Sequence, residues 1–215
     1  GGGPATVPTT AAPTPIAAAT DVISVFSDAF TDITGVDVNP NWGQATVVTT
    51  ESIAGNATLK YAGLNYQGTD FTGNPQNVSG MATLHVDFWT PDATAVNIFL
   101  IGEGETAYAL PISNGNWVSV DIPLNSFTGV NLANVTQLKV DDNTTGEGAT
   151  IFLDNIYFYG TGTPPAPIVD PAVAATAPGD LTSAVVLYSD AKTADANITS
   201  YLATWSSNIA FNGIQ

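Results

Sequence analysis

Thr150-Ile151-Phe152-Leu153-Asp154-Asn155-Ile156-Tyr157-Phe158-Tyr159-Gly160 is the stretch whose reading decides the fold. It is dense in β-branched and aromatic residues, carries one charge, and stops at a glycine, which reads as a long, well-buried strand. Thr161-Gly-Thr-Pro-Pro-Ala-Pro167 follows. Prolines lack the N–H that a sheet ladder needs, so the strand closes a domain there. A lone carboxylate, Asp154, inside such a strand requires a partner on a neighbouring strand.

Outward from that strand the pattern is β throughout. Met81–Thr90 alternates, with Leu84, Val86 and Phe88 pointing one way and His85, Asp87 and Trp89 the other. Asp21–Phe30, Ala45–Thr50, Ala57–Tyr61, Ala95–Ile101 and Val135–Val140 read as further strands. Tyr108–Ile112 and Trp117–Ile122 flank Ser113-Asn-Gly-Asn116, a hairpin signal because Asn-Gly accepts positive φ. With no convincing amphipathic helix, the fold class predicted is all-β, an antiparallel β-sandwich or jelly roll.

Composition bounds the function. The 215 residues hold three Lys, no Arg, nineteen acids and no cysteine, for a net charge of −16. That surface repels phosphate backbones, which excludes nucleic acid as a partner. Without disulfides, stability rests on the core or on bound metal. No apolar run approaches the ~20 residues that span a bilayer. The Gly-, Thr-, Asn- and Ser-rich texture is that of a secreted, extracellular or cell-surface protein. With no recognisable signal peptide, the sequence reads as a mature or excised piece of a longer multimodular chain.

Residues 1–20 are Gly, Pro, Ala and Thr and read as a PPII-like linker. Residues 21–160 form the module and 161–180 a second Pro/Ala linker. From 181 the chain repeats its beginning: Ser27-Asp28-Ala29 returns as Ser189-Asp190-Ala191, and Trp42 as Trp205. Residues 181–215 are therefore read as the opening of a second, truncated repeat.

VFSDAF, HVDFWTPD, WVSVDIPLNSF and IFLDNIYFYG occur in that order. Together they resemble the galactose-binding-like jelly-roll modules of secreted, mostly marine bacterial glycan-binding or glycan-degrading proteins. The resemblance covers about 21–160 and implies carbohydrate binding, with a structural Ca²⁺ where first and last strands meet.

Asp28 and Asp154 are the metal candidates, each a lone acid in an apolar strand. A site without His or Cys suits Ca²⁺ and its oxygen ligands, and turn capping is the competing role. Asp141–Glu147 lacks EF-hand spacing and reads as a solvated turn. For sugar stacking the candidates are Trp42, Tyr66 and the row His85, Asp87 and Trp89, with Tyr61 also considered. Each aromatic taken alone is equally consistent with core packing, and Trp117 is read as packing. One His and no Cys assemble no catalytic triad, and Glu103 and Glu105 sit in a glycine-rich turn unsuited to a rigid glycosidase pair. The expectation is a non-catalytic module binding a polysaccharide, a neutral glucan-like chain given the charge. A structural spacer or adhesin repeat with no sugar site is the alternative.

Overall fold

A computed structural model describes residues 6–142 and 148–160. The linker read at 161–180 and the repeat read at 181–215 lie outside the described residues. The described part holds ten strands: β1 (Val22–Phe26), β2 (Val47–Ile53), β3 (Asn56–Leu64), β4 (Tyr66–Asp70), β5 (Thr83–Trp89), β6 (Asn97–Ile101), β7 (Glu105–Ala109), β8 (Val118–Pro123), β9 (Gln137–Asp141) and β10 (Ala149–Tyr159). Helix is confined to single 3-10 turns at Ala19–Asp21 and Leu124–Ser126.

Two antiparallel sheets form the sandwich. Sheet A runs β2-β3-β10-β5-β8, and sheet B runs β4-β9-β6-β7. β10 is the spine of sheet A. Its first half pairs with β3 and its second half with β1 on the same side, while β5 lines the other side. First and last strands therefore meet, with Val22 opposite Tyr159.

The alternation read in β5 holds. Leu84, Val86 and Phe88 face inward onto Ile122, Val120 and Leu153, and all are buried in one core. Sheet B contributes Ile98, Leu100, Leu138 and Val140 to that core. Tyr61 is also a core residue, 1% exposed, and not a ligand platform.

Three local readings change. β1 ends at Phe26, so Asp28 sits in the following turn rather than within a strand. Asn114-Gly115 makes no hairpin: β7 belongs to sheet B and β8 to sheet A, so the loop crosses between sheets. Gly115 does take φ +78°, since that crossing needs the left-handed turn as much as a hairpin would. Residues 6–18, read as a linker, lie against the outer face of sheet A. Pro8 and Ala12 are buried, Thr10 O accepts from Trp117 Nε1 at 2.9 Å, and Pro13 O accepts from Asn155 Nδ2 at 2.9 Å.

Candidate functional site

The five residues predicted to meet sugar separate onto the two outer faces. His85, Asp87 and Trp89 point outward from sheet A as their alternation requires, but they form no open platform. Asp87 is 1% exposed and Trp89 3%. Trp89 packs edge-on against Phe152, its cross-strand partner, and lines a cavity of about 240 Å³ roofed by Val7, Thr9 and Thr10.

The rest of that face is a polar network. His85 Nδ1 lies 2.6 Å from Asp121 Oδ1, and its ring stacks on Tyr157 with centroids 4.7 Å apart. Burial alone would lower the His85 pKa, but the neighbouring Asp87 and Asp121 carboxylates outweigh it and hold the pKa above 6.5. Asp87 accepts hydrogen bonds from Ser119 Oγ and, at 2.7 Å, from Asn155 Nδ2. Asn155 is a bulge residue with φ +50°, a conformation that asparagine tolerates better than most side chains.

Asp154 stands directly across from Asp87 in the ladder and is fully buried. Burial pushes its pKa up to about 7, with the charges of Asp87 and Asp28 adding to the rise and the hydrogen bonds from Asn155 N and Asn56 Nδ2 opposing it. Asp28 is exposed. It accepts from Ala57 N at 2.8 Å, next to the Asn56 whose Nδ2 donates to Asp154 Oδ2 at 2.8 Å. The two predicted metal candidates thus flank one residue pair, Asn56-Ala57, without bonding each other.

Among the described residues no three acidic or imidazole side chains converge as metal ligands. Three buried side-chain oxygens among the described residues have no hydrogen-bond partner, and two of them, Asn56 Oδ1 and Thr58 Oγ1, lie on β3. Strand alternation sets Asn56 and Thr58 on the same face as Lys60, whose ammonium lies over the Phe152 ring, and so on the face of Asp154. An all-oxygen group beside a buried carboxylate fits a hard cation such as Ca²⁺.

The open aromatic face is on sheet B. There the outward rows run Tyr66–Asp141–Asn97–Ala109, Gly68–Lys139–Phe99–Ala107 and Asp70–Gln137–Ile101–Glu105. Trp42 lies on the middle row. Three atoms of its six-membered ring would lie 2.2–2.5 Å from a Cβ built on Gly68, so the ring rests flat on the sheet. It is half-buried, its other face turned outward. The segment is held by Tyr66 Oη donating to Trp42 O at 2.7 Å and by Trp42 N donating to Gln44 Oε1 at 2.8 Å.

Beside it, Lys139 Nζ sits 3.9 Å over the Phe99 ring and bonds both Glu105 oxygens at 3.1–3.2 Å. Asn97 Nδ2 donates to Asp141 Oδ1 at 3.1 Å. Asp70 is half-exposed. Burial would raise its pKa, but donation from the Thr72 hydroxyl and amide and from Gln137 prevails and lowers it. Of the predicted residues, the structure brings Trp42 and Tyr66 together here. The sequence reading missed Phe99, Lys139, Gln137 and Asp70. In the structure Ile98 and Leu100 face inward, which leaves Phe99 outward.

No family model matches the chain, and no curated protein does. Among solved structures, the chain is similar to the family 11 carbohydrate-binding module of the cellulosomal cellulase Lic26A-Cel5E of Clostridium thermocellum, at 16% identity and TM-score 0.47, over 63% of this chain and 94% of that one. The family 11 module from Clostridium thermocellum in complex with a β-1,3-1,4-mixed-linked tetrasaccharide is similar at 18% identity and TM-score 0.44, over 66% and 96%. A family 29 module complexed with cellulohexaose is similar at 12% identity and TM-score 0.47, over 64% and 89%. Identities of 12 to 18% with TM-scores of 0.44 to 0.47 assign this chain no ligand.

Proposed function

We propose that this chain is a non-catalytic polysaccharide-binding module of an extracellular multimodular protein, and that it binds across the outer face of sheet B. The observation that carries the reading is Trp42 lying flat on Gly68 with one face outward, on the same surface as Tyr66 and Phe99. An aromatic face set among amides, carboxylates and one ammonium offers stacking to sugar C–H faces and hydrogen bonds to hydroxyls.

Asp70, Asp141 and Glu105 surround Lys139, the one cation on these outward rows among the described residues, and it is already paired with Glu105. Uronate or sulfate groups find little to pair with there, so the ligand class is a neutral, glucan-like chain. The same pairings argue against catalysis, because Glu105 is engaged by Lys139 and Asp70 by Thr72. In this reading Ca²⁺ has a structural role. Asp154, Asn56 and Thr58, with Asp28 alongside, would hold it near the β1–β10 junction and tie the sheet together. Calorimetry of the full chain against soluble neutral glucans tests the function. Binding weakened roughly tenfold or more by Trp42→Ala supports it, and no binding to any neutral glucan returns the chain to a spacer or adhesin role.

A further inference from the structure

The loop that carries Trp42 is clamped beside β4 at both ends. Asp37 and Asp70 exchange two backbone hydrogen bonds, each at 2.8 Å. At the other end Asn65 Oδ1 accepts from Ala45 N at 3.0 Å and Thr46 N at 3.2 Å, and Thr46 Oγ1 donates to Tyr66 O at 2.8 Å. Between those clamps the chain holds an indole flat on Gly68, and one side chain braces it from within.

That side chain is Gln44. Its Oε1 accepts from Trp42 N at 2.8 Å, and its Nε2 donates to Pro40 O at 2.7 Å and to Asn39 Oδ1 at 3.3 Å. Trp42 N also donates to Pro40 O at 3.1 Å, so residues 39–44 close into one compact set of bonds. Gly43 makes the reach possible, its φ of +82° being a turn that other residues rarely take. The two backbone partners are of opposite kind, an N–H to be accepted and a carbonyl to be donated to. A carboxamide meets both from one planar end, and a carboxylate, which only accepts, does not.

We propose that Gln44 is a positioning residue for carbohydrate binding, its amide fixing the backbone of Trp42 so that the indole stands ready as a platform. The proposal rests on the sheet B reading above. Gln44 acts through Trp42, with its amide turned onto the loop's own backbone. A ring ordered before the ligand arrives spares binding the entropy of ordering it.

The test is Gln44→Glu in the full chain, titrated by calorimetry with hydroxyethylcellulose and laminarin, two soluble neutral glucans, at pH 7.5 and pH 4. At pH 7.5 the carboxylate still accepts from Trp42 N but sets an acceptor against Pro40 O, and affinity should fall roughly three- to tenfold below the parent's. The ordinary Glu pKa is about 4.3, and facing a carbonyl raises it. At pH 4 the carboxyl therefore donates again, and affinity should return to within about twofold of the parent's at that pH. A side chain that only fills space would give one affinity ratio at both pH values. Gln44→Ala should be weak at both, with little change in melting temperature. In the sugar-free chain its Trp42 amide should exchange hydrogen about three- to tenfold faster than the parent's. Gln44→Glu binding as tightly as the parent at pH 7.5, or as weakly at pH 4 as at pH 7.5, would overturn the positioning role. Unchanged exchange in Gln44→Ala would overturn the brace whether or not sugar binds. A parent that binds neither glucan overturns the sheet B reading itself, and the role of Gln44 in binding falls with it.

Discussion

The indole of Trp42 occupies the space that any side chain on residue 68 would need, its ring atoms standing 2.2–2.5 Å from where the Cβ would be. Gly68 pairs with Lys139 in mid-ladder and has no left-handed φ, so Ala there costs the backbone nothing. Its whole effect is to lift the ring. Gly68→Ala should weaken glucan binding by an amount close to that of Trp42→Ala, with melting little changed. Equal affinity in Gly68→Ala and the parent, measured by calorimetry, would separate Trp42 from the site.

Trp42→Ala and Trp89→Ala should fail in opposite ways. By analogy with base–aromatic stacking, an exposed ring contributes ~1–3 kcal/mol to binding, so Trp42→Ala should lose roughly tenfold or more in affinity. Trp89 is buried against Phe152, and truncating a buried Trp costs about 3–5 kcal/mol of stability. Thermal melts and glucan titrations on the two variants check this. A Trp89→Ala protein that melts normally but no longer binds glucan would place the sugar on sheet A.

Calcium should stabilise the fold, and more so at higher pH. At 100 times its Kd the gain is about 2.7 kcal/mol if only the folded state binds. With its carboxyl pKa at about 7, Asp154 must shed a proton to bind metal. The rise in melting temperature on adding Ca²⁺ should therefore grow from pH 6 to pH 8, and Asp154→Asn should abolish it. A melting temperature indifferent to both Ca²⁺ and chelator at pH 8 rules the cation out.

His85 gives a second pH signature. Its folded-state pKa lies above the ordinary 6.5, so the charged ring between Asp87 and Asp121 contributes stability that is fully present below about pH 6.5. That contribution is lost as pH rises through the folded value. In chelator, the parent should lose more stability than His85→Gln between pH 6 and 8. Parallel curves would mean that folding leaves the imidazole pKa unchanged.

Much of the sandwich was legible because burial on one face writes a period of two into a strand. Met81–Thr90 was read correctly for direction, and the aromatic run 150–159 correctly as the closing strand. What alternation does not carry is what lies over the outward row. His85, Asp87 and Trp89 face out, but a Pro/Ala/Thr segment lies against that face, bonded to Asn155 and lining the cavity at Trp89, and such a segment has the composition of a free linker whether or not it is docked. Phe99 was hidden for the opposite reason. Its strand is apolar on both faces, so Asn97-Ile-Phe-Leu-Ile101 shows no alternation to read. Trp42 stood out as an aromatic beside short polar residues, but its seat on Gly68 is a long-range contact that spacing cannot disclose.

The docked segment also stores length. Residues 6–18 leave the sheet at Val22, which lies directly opposite Tyr159, so the folded core begins and ends at one point. Tension applied to the two ends of the described chain reaches residues 6–18 before it reaches the β1–β10 ladder. Two hydrogen bonds peel first, and about thirteen residues then come free, a contour length of roughly 45 Å at full extension. The module therefore behaves under load as a spring with a weak first stage, yielding reach while its sheets stay whole.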